Sequence, residues 1–159
     1  MFISWAATFS LLTGCGDAPH EHHAVEKSHK HEHTPPHGGT PVVLGTEQYH
    51  LEFIRDATND LMQVYVLDSH MENFVRLTNT TIEVSVQVDG KSRVLSFNAV
   101  ATTASGETVG DTALFEARAE WLKTTTNFDG TIKALTVRGA RFENVTFNFP
   151  KGNELRAGH

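Results

Sequence analysis

Cysteine is nearly absent. Cys15 is the single one among 159 residues, so an internal disulfide and paired-thiolate metal chemistry are both excluded. Positive charge is also scarce, with 13 Lys and Arg against 19 Asp and Glu and a formal charge of −6. No basic stripe is available to neutralise phosphates, which argues against a nucleic-acid partner. No apolar run approaches the roughly 20 residues of a membrane-spanning helix. No Gly-rich phosphate loop, zinc-protease helix motif or nucleophile elbow appears. The run Asp68, Ser69, His70 does not make a hydrolase, because adjacent residues in extended chain point to opposite sides. With no convergent acid, base and nucleophile, a non-enzymatic protein is expected.

What is abundant is histidine. Seven of the ten, His20, His22, His23, His29, His31, His33 and His37, fall within eighteen consecutive residues. Ahead of them, the first fourteen residues, MFISWAATFSLLTG, carry no charged side chain and have the length of a signal-peptide core. They end in LTGC, which resembles the lipobox of bacterial lipoproteins. That resemblance implies cleavage before Cys15, lipidation of its thiol and a stable two-chain membrane anchor. The implied location is the bacterial cell envelope, facing the periplasm, with the outer membrane favoured over the inner.

Four regions are expected: a signal peptide over 1–14, a lipidated and disordered His-rich linker over 15–39, a β domain over 40–150 and a polar tail over 151–159. The linker assignment follows from composition. Between Asp17 and Pro36 the only aliphatic side chain larger than alanine is Val25, too little apolar surface to offset the entropy of ordering the segment. Pro35 and Pro36 stiffen its end, and Gly38 and Gly39 free the backbone before the first strand-like run, TPVVLG.

Beyond that point short strands alternate with turn residues. In QYHLEFI, Tyr49, Leu51 and Phe53 alternate with Gln48, His50 and Glu52, the period of a strand with one buried and one polar face. LMQVYVLD is more continuously apolar, hence central. In TIEVSVQVDGKSRVLSF the alternating Ile82, Val84, Val86 and Val88 run into Asp89 and Gly90, which suit a type I′ hairpin turn. ALFEARAEWL fits a strand entering a turn or a short helix, the strand being favoured. The last strand places Val145, Phe147 and Phe149 inward. Seven or eight short strands without a long amphipathic helix predict an antiparallel, immunoglobulin-like β-sandwich.

The arm carries the chemistry. In HKHEH the side chains of His29, His31 and His33 emerge on one side of an extended chain about 7 Å apart, close enough to converge on one ion. Neutral imidazole suits Zn²⁺, Cu²⁺ and Ni²⁺, and the lack of further cysteines removes the soft ligands that favour Cu⁺. A labile divalent metal held by changing ligand sets is expected. A weaker candidate set lies in the domain, where His50 and Glu52 share a polar strand face near Asp68 and His70 at the end of the next strand. The competing reading is a lipid-tethered interaction module in which the histidines are only part of a linker.

The order of lipobox, His-rich linker, PHGG, YHLEF and VYVLD, over roughly residues 15 to 100, resembles the N-terminal region of periplasmic adaptor subunits of heavy-metal efflux pumps and related small metal-associated lipoproteins. The resemblance implies metal capture outside the cytosol and transfer to an efflux transporter, with the arm histidines and His37 at the matching positions. The long helical hairpin and lipoyl-type domain of such adaptors have no counterpart in this sequence.

Overall fold

The computed structural model describes residues 34–154. Within this span the chain forms eight strands: β1 (Thr40–Leu44), β2 (Tyr49–Asp56), β3 (Leu61–Leu67), β4 (Thr81–Val88), β5 (Lys91–Val100), β6 (Leu114–Arg118), β7 (Phe128–Val137) and β8 (Ala140–Phe149). Helical structure among the described residues is confined to short 3₁₀ turns at Thr103–Ser105 and Glu120–Lys123. Every strand pair is antiparallel, in the order β1-β2-β3-β6-β5-β4-β7-β8.

The antiparallel all-β domain that strand spacing predicts is therefore present, but its layering differs. The strands form a single, nearly closed sheet in place of the two sheets of an immunoglobulin-like sandwich. The reason is β6. It pairs with β3 on one side and β5 on the other, joining the β1–β3 meander to the β4–β5 hairpin and the β7–β8 pair. Strand periodicity carries no information on which strands will pair, so this bridge is invisible in a one-dimensional reading.

Where the sheet meets itself, β1 has no ladder partner on its outer side among the described residues. The side chain of Asn153 substitutes for a strand there: the Val43 N–H donates to its Oδ1 at 2.7 Å, and its Nδ2 donates to the Val43 carbonyl at 3.1 Å. The Thr40 hydroxyl donates to the Pro150 carbonyl just after β8. These contacts satisfy backbone groups that an exposed edge would leave open to pairing with another chain.

The interior is filled by inward residues from all around the sheet. Phe53 of β2 meets Phe97 of β5 edge-on at 5.8 Å and stacks on Phe147 of β8 at 4.6 Å. These contacts span strands far apart in the sheet order, so curling creates the core. In β4, Ile82, Val84, Val86 and Val88 are all buried, and Asp89 and Gly90 turn the hairpin at φ 51° and 72°. The segment ALFEARAEWL is a strand running into a 3₁₀ turn. In β8, Phe147 and Phe149 are buried and Val145 is half-buried. Before Asn144, at φ 52°, burial switches face and Phe142 becomes the inward residue.

Residues 35–39, assigned by composition to the linker, belong to the folded unit. The Gly38 N–H donates to the Pro35 carbonyl, closing a turn that lays the chain on the outer face of β2. Cys15 and the residues up to His33 lie outside the described residues.

Candidate functional site

The centre of interest is the outer face of β2, which the alternation in YHLEF assigns to solvent. His50 and Glu52 are instead fully buried. Two segments cover them. The turn at residues 35–39 closes over Glu52, and the loop after β3 approaches His50.

Glu52 is held as an acceptor on both oxygens. Its Oε1 receives the backbone N–H groups of His37 and Gly39, each at 2.9 Å, and Oε2 receives His37 Nδ1 at 2.8 Å. Gly39 is required at this closest approach. A Cβ there would meet Glu52 Cγ and the Phe53 carbonyl oxygen at 2.7 Å. Gly38 supplies the left-handed conformation of the turn at φ 69°. The stretch PHGG is thus a clamp on a buried carboxylate, built from two backbone donors and one imidazole.

The clamp orients His37. In the neutral ring, a carboxylate acceptor at Nδ1 places the single ring proton there and leaves Nε2 as the nitrogen with a lone pair. Opposite Glu52 in the β2–β3 register stands Tyr65, whose ring stacks on the imidazole at 4.3 Å and 20°. Phe74 leans on both rings, at 5.9 Å from His37 and 5.5 Å from Tyr65, and is 49% exposed. The imidazole therefore has its polar edge fixed and one face backed, while its side chain keeps 38% of its surface open.

An open groove runs beside it, lined by His37, Tyr65, Phe74, Thr102, Ser105, Glu107, Ala113 and Leu114. Burial, together with the carboxylates of Glu116, Glu52 and Glu107, pushes the Tyr65 hydroxyl above its ordinary pKa. Burial also acts on Glu107, but the hydrogen bonds from the Ala113 N–H and the Ser105 and Thr102 hydroxyls, with the nearby Arg76 charge, outweigh it and hold this carboxyl below its usual range.

The weaker candidate set divides. His50 Nδ1 lies 3.1 Å from the Asp68 carbonyl oxygen, which accepts its proton. The Asp68 carboxylate accepts from the His70 and Glu72 N–H groups and from Asn73 Nδ2, organising the turn after β3. Burial raises the Asp68 pKa, and these hydrogen bonds overcome it and lower it on balance. His70 lies exposed on that turn. His50 and Asp68 do meet, but through a backbone oxygen. Among the described residues no group of three or more His, Cys, Asp or Glu side chains is placed to hold a metal ion. Of the arm histidines only His37 is described; His20, His22, His23, His29, His31 and His33 lie outside the described residues.

Sequence reasoning did not single out Tyr65, Phe74 or Glu107. Pairing β2 with β3 brings Tyr65 opposite Glu52 and would have found it. Phe74 and Glu107 lie between strands and carry no periodic signal. Comparisons with protein-family models, curated proteins and solved structures gave no match for this chain.

Proposed function

We propose that this protein is a non-enzymatic, lipid-anchored component of the bacterial envelope that binds divalent transition metal through its His-rich arm. Cys15 carries the anchor, facing the periplasm and more suited to the outer than the inner membrane. His20, His22, His23, His29, His31, His33 and His37 supply labile imidazole ligands for Zn²⁺, Cu²⁺ or Ni²⁺. The nearly closed sheet is the carrier, and components of a metal-efflux transporter are the partners that the sequence resemblance favours.

The observation supporting this reading is the bond from His37 Nδ1 to buried Glu52. Histidines that ligate metal typically donate their second ring nitrogen to such a carboxylate, which fixes the tautomer and makes Nε2 more basic. Calorimetric titration of Zn²⁺ and Cu²⁺ into the full chain tests it. Micromolar or tighter binding is expected, weakened strongly when His20, His22, His23, His29, His31 and His33 become serine. Binding no tighter than millimolar would overturn it.

A second reading, a tethered interaction module, draws on the exposed Phe74 ring beside the groove. In that case function survives the serine substitutions and is lost with Phe74→Ser.

A further inference from the structure

We infer that the free edge of β5, from Ser92 to Ser96, is a docking site for an extended acidic segment of a partner protein, added to the sheet as an antiparallel strand. The site uses no residue of the His-rich arm, so it stands independently of the metal-binding reading.

Pairing along β5 is uneven. β4 runs beside it from Lys91, opposite Val88, to Asn98, opposite Thr81. β6 accompanies it only from Asn98 to Val100, and beyond Glu116 that strand pairs with β3 alone. From Lys91 to Phe97, β5 therefore has a single ladder partner among the described residues. The Ala99 N–H donates to the Thr80 carbonyl, on the β4 side. Successive residues of an antiparallel strand direct their backbone groups to alternate sides, so those of Ser92, Val94 and Ser96 face the open side. Their side chains are exposed, while Leu95 and Phe97 between and beyond them are buried. Val94 is 61% exposed, an apolar side chain that the fold itself leaves uncovered. The outer edge of β1 is different, because the Asn153 amide already occupies it.

Charge decides the occupant. Lys91 and Arg93, at the turn end of this edge, are exposed and form no ion pair among the described residues, in a chain whose formal charge is −6. A second copy paired across Val94 would set Arg93 diagonally across from its own counterpart, where like charges repel. A strand with carboxylates opposite Lys91 and Arg93 gains energy at the same positions, and an apolar residue opposite Val94 covers its side chain. Basic side chains on an edge are a common defence against pairing between copies. Here the same two cations turn away a like-charged strand and admit an acidic one.

The test is ¹H–¹⁵N NMR of the full chain during addition of a short peptide of alternating glutamate and valine, blocked at both ends. Expected are saturable shifts centred on the amides of Ser92, Val94 and Ser96, whose exchange with solvent slows as the peptide binds. The same peptide with lysine in place of glutamate should bind at least roughly 10-fold more weakly. Val94→Pro removes an N–H from the centre of the edge without touching the β4 ladder, and should weaken the acidic peptide roughly 5–10-fold in a chain that urea unfolding shows to be folded. Arg93→Glu leaves the backbone intact and should reverse the preference between the two peptides. No saturable shift, shifts centred elsewhere, or unchanged affinity for the acidic peptide in Arg93→Glu overturns the inference. Concentration-dependent broadening of the same amides without peptide would place a second copy on the edge and overturn the choice of an acidic partner.

Discussion

Strands β2 and β4 alternate apolar and polar residues in the same way, yet their polar faces end in opposite environments. In β4 the outward Thr81, Glu83 and Gln87 are exposed and Ser85 is half-buried. In β2 the corresponding His50 and Glu52 are fully buried. Alternation identifies which residues share a face. Whether that face meets water depends on what the rest of the chain lays over it, here the turn at residues 35–39 and the loop after β3.

The covered face explains why three separate stretches read as one motif. PHGG contributes His37 and Gly39, YHLEF contributes His50 and Glu52, and VYVLD contributes Tyr65 and Asp68; all six residues join in contacts on one side of the sheet. A buried polar group must find partners, and both buried side chains do. The clamp therefore has a stability role independent of any metal. It uses Nδ1 of His37, and the Nε2 edge of the ring takes no part in the clamp.

The contrast between the two faces can be broken directly. Replacing Glu52 by alanine leaves three N–H donors without their acceptor beneath a closed turn and is expected to cost about 3 kcal/mol, measured by urea unfolding. Glu83→Ala, at an exposed position of β4, should stay within about 0.5 kcal/mol. Equal effects would mean that burial of the β2 face contributes nothing.

A smaller effect sharpens the role of the cover. Gly39→Ala drives a Cβ into Glu52 and the Phe53 carbonyl and should destabilise by about 2 kcal/mol through overpacking. Gly90→Ala, in the β4–β5 turn at φ 72° with open space around it, meets only the left-handed backbone penalty of about 1 kcal/mol. Reversal of that order would show that residues 35–39 shift freely.

The smallest expected effect concerns acid. The carboxyls of Asp68 and Glu107, near the covered face, are held below their ordinary pKa, so the folded chain binds fewer protons there than the unfolded chain. Their stabilisation is complete above the ordinary carboxylate range and is lost as pH falls through their lowered values. Asp68→Asn and Glu107→Gln should each lower stability at neutral pH and flatten its decline below about pH 5. Thermal melts across pH 2–7 would check this. An unchanged acid slope in both variants would place the acid sensitivity elsewhere.

Much of the domain was legible from residue order because the signals are local. A period of two marks β2 and β4, Asp89 and Gly90 supply the positive φ that a tight hairpin requires, and Phe147 and Phe149 follow from alternation after Asn144. The candidate site was legible only in part. His37, His50, Glu52 and Asp68 stood out by residue type, but their roles did not. Glu52 became an orienting carboxylate and Asp68 a turn organiser, while Tyr65 joined from the neighbouring strand.

By itself the sequence determined the strands, the sharp turns and the concentration of imidazole ahead of the sheet, because each depends on residues a few positions apart. Tertiary structure alone decided that β6 would bridge the strand groups into one sheet, that a polar strand face would be buried, and that one histidine would be held by a carboxylate fifteen residues away. Those outcomes come from competition among distant segments for the same backbone partners and the same apolar surface, which no local period records.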